Sequence, residues 1–372
     1  MVHSGQQVAG QDHTSMFMPT PALNSFRFIM AIRTHRDMVT YQVDWKGAYL
    51  NAMIDHEVYV QQPVGMEVPG KENLVCRLNK AVYGACQSGR LWNLMLDDFL
   101  TSRCGLERCP FEPCLYRREE GGKLLLMQVH TDDGAILVDR GFEWAVDELL
   151  QWIEERFEIK RLGELRIYLA LRVEMTSTRT TIDQESYCQS IIEELHESED
   201  VYRTPWGTDM DESFDEVKDV TEEDREYLKG RDYWRLVGKL QYLVNTRPDI
   251  AYAVGKLGRF ASKPRRVHWD AGQRVLGYLR GTKGLRMTYM RRGQGAGSAG
   301  DGLVPECFAD ADFRGDRETQ RSTTGIVITL CGGVVVASSK RQTTVADSTT
   351  AAETIVLHSL VKEGMWVQNM LT

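Results

Sequence analysis

Two apolar runs, LLLMQV (Leu124–Val129) and AILV (Ala135–Val138), flank the polar stretch His130-Thr131-Asp132-Asp133-Gly134. Runs of this length bounded by turn residues predict a buried β-hairpin with an Asp-Asp pair at its tip. A second short apolar stretch, YQV, ends at Asp44 and predicts another strand, preceded by a helix over Ser25–Ile32. KAVYGACQSGRLWNLMLDDFLTS reads as a turn leading into an amphipathic helix from about Arg90 to Thr101. FEWAVDELLQWIEERFEI has helical spacing, RIYLALRVEM and TSTRTTID a hairpin pattern, and YCQSIIEELHES helical spacing again. Residues 204–221 are acidic, contain Pro205 and Gly207 and lack periodicity, which predicts a linker. A helical block follows in DYWRLVGKLQYLVNT, IAYAVGKLGRFA and HWDAGQRVLGYLRGT. Beyond the glycine-rich break Arg291–Gly302, CFADADFRG, TGIVITL and GVVVASS alternate as strands, and a last helix starts near Ser348.

The 372 residues are enough for two or three domains, and 42% apolar with 26% charged residues is ordinary for a globular protein. No stretch approaches the roughly 18 apolar residues of a membrane span. The N-terminus lacks a basic region followed by an apolar core, so no signal peptide is expected and the chain is placed inside the cell, in cytoplasm or nucleus. Cys104, Cys109 and Cys114 recur without CxxC pairs; a zinc site or reduced thiols both fit, and an intracellular chain favours the thiols. Net charge is −8 but unevenly placed: Glu193–Glu226 is acidic and Arg259–Arg292 basic. Arg265, Arg266, Arg274, Arg280 and Lys283 in the basic stretch would suit phosphate contacts, or a solvated helix face.

Two carboxylates in a buried hairpin are costly unless a cation sits against them. Hard Mg²⁺ prefers carboxylate oxygens, and Asp44 is the candidate third ligand beside Asp132 and Asp133. Taken alone, Asp-Asp-Gly reads first as a solvated turn, and the surrounding segments change that reading.

The segments in order resemble the reverse transcriptase and ribonuclease H region of copia-type retrotransposon polyproteins. The family pattern DVKTAFLNG is matched by DWKGAYLNA from Asp44, and VYMxQPxGF by VYVQQPVGM from Val58. CKLxKALYGLKQAPRxW is matched by CRLNKAVYGACQSGRLW (Cys76–Trp92), and YVDD by His130-Thr131-Asp132-Asp133. RLGELRIYLALRV, YWRLVGKLQYLVNTRPDIAYAVGKLGRF and HWDAGQRVLGYLRGTKGL follow, then FADADFRGD, RSTTGIVITL and SKRQTTVADSTTAAET, each at its family place.

The resemblance implies an α+β fold: fingers and palm of a right-hand polymerase over 1–203, a linker over 204–221, a helical thumb or connection over 222–295, and an incomplete ribonuclease H-like α/β domain over 296–372. It implies RNA-directed DNA synthesis on an RNA template and DNA primer from deoxynucleoside triphosphates, with no membrane role. Other parts of a retrotransposon polyprotein are further possible partners. Asp44, Asp132 and Asp133 would hold two Mg²⁺ ions, or Mn²⁺, about 3.5–4 Å apart for nucleotidyl transfer. Tyr49 falls where a family aromatic packs under the sugar and rejects a 2′-hydroxyl; otherwise it is a core tyrosine. Gln87 would contact the incoming nucleotide and Arg90 a phosphate, against readings as a solvated turn and a helix N-terminal residue. Asp310 and Glu353 match two ribonuclease H carboxylates that would meet an RNA–DNA hybrid, and either alone is a surface acid. The family's next aspartate lies on a strand beyond Thr372, so hydrolysis is expected to fail. The chain departs from the pattern at His130 and Thr131 in place of Tyr-Val, Cys86 for lysine, Gly89 for proline, Ala170 for glycine and Ala351 for glutamate.

Overall fold

The apolar run after Leu23 forms helix α1 (Leu23–Arg36), longer than its sequence pattern suggests because Arg27, Arg33 and Thr34 are buried along with Phe26 and Ile29. The computed structural model describes residues 7–8, 10–207, 210, 214, 219–291 and 303–372. These form a mixed α+β fold of two units. One takes the residues up to Phe26 and Arg36–Leu165; the other takes Arg27–His35 and Arg166–Thr372.

In the first unit, β1 (Val39–Trp45) carries Asp44, and β2 (Tyr59–Gln61) pairs with β3 (Val75–Arg77) in a separate ribbon. Helix α2 (Ser88–Asp98) ends in a wide turn at Phe99–Arg103. Strands β4 (Glu107–Arg108), β5 (Leu115–Glu120), β6 (Lys123–His130) and β7 (Asp133–Val138) follow, then helix α3 (Trp144–Arg156) and β8 (Ile159–Gly163). The main sheet is antiparallel, in the order β4-β5-β6-β7-β1-β8. Strand side chains alternate between faces. Val43 and Trp45 of β1, with Met127, Val129, Ile136 and Val138, pack on Trp92 and Leu96 of α2 and Leu149 and Ile153 of α3. Thr40, Gln42 and Asp44 therefore point to the other face, where Gln128 donates to Ser25 Oγ at 2.8 Å.

In the second unit, β9 (Ile167–Tyr168), β10 (Leu171–Met175) and β11 (Arg179–Asp183) join β12 (Met287–Met290) in the order β12-β11-β10-β9. Helices α4 (Glu185–Leu195), α5 (Glu222–Tyr227), α6 (Tyr233–Leu243), α7 (Ala251–Arg259) and α8 (Arg266–Gly281) build a second apolar core, with Leu236, Leu240, Leu257, Trp269 and Leu276 at its centre. Strands β13 (Glu306–Asp312), β14 (Thr323–Leu330) and β15 (Gly333–Arg341) form an antiparallel meander, and α9 (Thr349–Leu371) closes the chain with Ser348 as its N-cap. None of the described helices is long and apolar enough to cross a membrane.

Two sequence expectations shift. The first boundary lies at Leu165 rather than 203, because β12, from beyond α8, pairs with β11 and ties the 167–183 hairpin to the later chain. The expected linker 204–221 is not loose throughout. Phe214 is fully buried, edge-on to Trp206 at 4.7 Å, Phe260 at 5.1 Å and His268 at 4.8 Å. Residues 208–209, 211–213 and 215–218 of that segment, and 292–302 of the glycine-rich break, lie outside the described residues.

The β-meander is tied to α7 through Asp316, 4% exposed, which receives Arg341, Arg259 at 3.3 Å and the Thr319 amide at 3.1 Å. Burial alone would raise this carboxyl; the Arg341 hydrogen bond, the amide and Arg259 bring it below its usual range. Its contribution is present above the unfolded value near pH 3.9 and is lost as pH falls through the lower folded value. Asp316→Asn should destabilise the chain by about 3 kcal/mol in denaturant melts at pH 7, with the gap to wild type closing toward pH 2.

Candidate active site

The expected hairpin is present. β6 and β7 are joined by the two-residue turn Thr131-Asp132, with His130 opposite Asp133. β1 runs along the other side of β7, and its register sets Asp44 directly across from Asp133. Facing residues of an antiparallel pair have Cα atoms about 4.5–5.5 Å apart and side chains on the same face. Asp44 and Asp133 are thus neighbours by strand pairing, and Asp132 precedes Asp133 on the tip.

The tip is held from the core side. Trp92 of α2 donates its indole N–H to the Thr131 carbonyl at 2.7 Å, and the Trp45 amide donates to the Asp132 carbonyl at 2.7 Å. The Trp45 and Trp92 rings meet edge to face at 6.2 Å. Gly134 must be glycine because a Cβ there would come within 2.7 Å of Val43 and 2.8 Å of Trp45. Thr131 has φ +55°, a left-handed value that a β-branched residue rarely adopts. Such strain, of order 1–3 kcal/mol, persists only where the surroundings impose it.

The carboxylates feel one another. Burial first, then the charges of Asp132 and Asp44, push the Asp133 carboxyl above its usual range, while His130 and Gln42 pull it back. A cation between them would relieve that repulsion, so the donor set suits Mg²⁺ or Mn²⁺. Among the described residues no group of three His, Cys, Asp or Glu converges to hold an ion, so the cluster by itself is not a formed metal site.

A sequence model for reverse transcriptase (RNA-dependent DNA polymerase) matches residues 1–205. The chain belongs to the reverse transcriptase family. It is 32% identical to the retrovirus-related Pol polyprotein from transposon TNT 1-94 of Nicotiana tabacum, over 100% of this chain and 27% of the relative. It is 29% identical to the Pol polyprotein from transposon RE1 of Arabidopsis thaliana, over 98% and 24%. A putative transposon Ty5-1 protein of Saccharomyces cerevisiae is 28% identical over 84% of this chain and 99% of its own length. The chain spans about a quarter of the two Pol polyproteins. The resemblance to a retrotransposon reverse transcriptase region is borne out.

The other expected reverse transcriptase residues are differently placed. Tyr49 sits in the 3-10 turn Ala48–Asn51 just after β1, half-buried against the first core. Gln87 is fully buried, and its amide is engaged: it donates to the Asp12 carbonyl at 2.8 Å and accepts from Gln7 at 3.1 Å. It is neither a solvated turn residue nor free for a nucleotide in this arrangement. Arg90 pairs with Asp55 at 3.4 Å. The basic stretch is also engaged. Arg265 is buried, Arg266 pairs with Asp270 at 3.5 Å and lies over Tyr227, and Arg274 lies over Tyr202. Arg280 pairs with Glu199, and Lys283 donates to Gln189 at 3.4 Å.

Asp310 lies on the exposed face of β13 and lines a cleft with Asp312 and Tyr252. Glu353 is half-buried in the first turns of α9. Burial pushes the Cys104 and Cys114 thiols up to about 12.

Trp92 and Gly134 are functional neighbours that the sequence motifs contain but do not single out. Trp92→Phe keeps the ring packing and removes one donor. It should cost about 1–2 kcal/mol of stability by leaving the Thr131 carbonyl unpaired. Gly134→Ala should cost more, about 1–3 kcal/mol from overpacking against Trp45. Denaturant midpoints of the two variants against wild type check both values.

Proposed function

We propose that this chain is the polymerase segment of a retrotransposon polyprotein of copia type, synthesising DNA on an RNA template from a DNA primer and deoxynucleoside triphosphates. The observation that carries the reading is the register that sets Asp44 opposite Asp133 at the Asp132-Asp133 tip. Asp44, Asp132 and Asp133 would hold two divalent cations, Mg²⁺ by preference and Mn²⁺ as an alternative. When bound, such ions supply charge stabilisation at the primer 3′-hydroxyl and at the pyrophosphate leaving group. The chain's own part is to fix the carboxylates: Trp92 and the Trp45 amide hold the tip, and Gly134 lets it lie close to β1. Tyr49 would exclude a ribose 2′-hydroxyl by its bulk. Arg265, Arg266, Arg274, Arg280 and Lys283 would reach phosphates of the template–primer by exchanging their present partners.

One observation favours a second reading, a retroelement remnant that binds nucleic acid without catalysis. Gln87 is sealed under the N-terminal segment, and its neighbour Cys86 stands where the family has a lysine.

Primer extension on poly-A with oligo-dT and Mg²⁺ separates the two. Under the first reading wild type extends the primer, and Asp132→Asn falls roughly a thousandfold, the several kcal/mol a metal ligand supplies. No extension by well-folded wild type selects the remnant. A second measurement needs no turnover. Mg²⁺ at about ten times its dissociation constant should stabilise wild type by about 1.4 kcal/mol in thermal melts and leave the double variant Asp132→Asn, Asp133→Asn unmoved.

A further inference from the structure

We infer that the chain docks on a second copy of itself: the loop that closes the β2–β3 ribbon of one copy seats its apolar side chains on the outward face of α9 of the other.

The loop, residues 62–74, is a run of successive β-turns. The Met66 amide donates to the Pro63 carbonyl at 2.9 Å, the Lys71 amide to the Val68 carbonyl at 2.9 Å, and the Leu74 amide to the Lys71 carbonyl at 3.0 Å. Gly65 and Gly70, at φ +82° and +79°, supply the left-handed position of the first two turns. The Gln62 side chain ties the loop together. It donates to the Lys71 and Leu74 carbonyls at 2.6 and 2.9 Å and accepts from the Val68 amide at 2.8 Å. Glu67 and Glu72 accept from the Gly65 and Gly70 amides, each at 2.8 Å. The polar groups of the loop are thus satisfied within it, while its apolar side chains stand outward: Val64 is 97% exposed, Met66 75% and Leu74 59%. A loop fixed in this way loses little conformational freedom when a partner covers it.

Helix α9 carries the matching surface. Ala352, Val356 and Val367 are buried on its inner side, where it packs on β13 and β14. Leu357, Val361 and Met365, spaced by four, share the opposite side and are 56%, 57% and 60% exposed. A helix that is apolar on both sides calls for a neighbour on both sides. Charge selects the loop as the outer neighbour. His358 and Lys362 are exposed along the flank of the stripe, and the loop presents Glu67 and Glu72 among its apolar residues. Two α9 stripes packed antiparallel on each other would instead bring their basic flanks together. Glu67 and Glu72 outnumber Lys71 in the loop, which sets it against phosphate backbones and anionic lipid headgroups. A two-fold pair of copies makes the loop-on-helix contact twice and so doubles the area it buries.

Analytical ultracentrifugation of the full chain tests the contact, with circular dichroism to check that each variant is folded. Wild type should sediment as a dimer with a dissociation constant on the order of 10 µM or tighter. The loop variant Val64→Glu, Met66→Glu and the helix variant Val361→Glu, Met365→Glu should each weaken association at least about a hundredfold, because each sets unpaired charge in the contact. Mixed in equal amounts, the two variants regain one intact contact and should associate at least about tenfold more tightly than either alone. Lys362→Glu, and separately Glu67→Lys with Glu72→Lys, should weaken the dimer about tenfold, and a chain carrying all three changes should return to within about threefold of wild type. A wild type that stays monomeric up to about 100 µM overturns the inference. So does a dimer that either apolar variant leaves intact, a mixture that stays monomeric, or a triple charge variant that is weaker than its parents.

Discussion

Three carboxylates at one end of a sheet repel one another, and only the surrounding structure keeps them there. Asp133 shows the conflict directly, its carboxyl raised by burial and by the charges of Asp132 and Asp44. The first unit answers with rigid backbone anchors rather than counter-charge. Two tryptophans hold the tip carbonyls, and a glycine lets β7 approach β1 closely enough for Trp45 to lie over it. Thr131 is forced into a left-handed conformation by the same two-residue turn.

How far the sequence exposes this site depends on the range of the contacts involved. The hairpin and its acidic tip were legible because apolar runs and a polar turn are local signals. Asp44 was legible as the end of an apolar stretch, yet its register against Asp133 needed the fold. Trp92 was invisible as a neighbour of the acidic tip. It sits in a motif whose local pattern says only turn and helix, and its partner Thr131 is distant in sequence. The division of the chain at Leu165 was hidden for the same reason, since β12 returns to β11 across a long intervening helical block. Phe214 was lost in an acidic, aperiodic stretch whose composition suggested a linker, although one aromatic ring among Trp206, Phe260 and His268 suffices to anchor it.

The basic residues show why net composition is a weak guide to partners. Sequence counts Arg266, Arg274, Arg280 and Lys283 as a positive stretch, but in the fold each meets a carboxylate, an aromatic face or an amide. Exposed pairs of this kind are worth about 0–1 kcal/mol, and their engagement lowers the positive field that the sequence alone suggests.

The segment before α2 and the start of that helix are covered by the N-terminal segment. Cys86 donates its amide to the Gln7 side chain at 2.7 Å, and Gln7 in turn donates to Gln87. Two residues on, Gly89 has no Cβ, and one there would lie 2.5 Å from the Met18 sulfur. Gln7, Asp12 and Met18 thus pack against the 86–89 segment through the Cys86 amide, the Gln87 side chain and the space that Gly89 leaves. A proline at 89 would push Met18 aside, and with it part of the cover over Gln87. The acidic tip is thus held by backbone contacts from Trp92 and Trp45, while the 86–89 segment packs against Gln7, Asp12 and Met18 of the N-terminal segment.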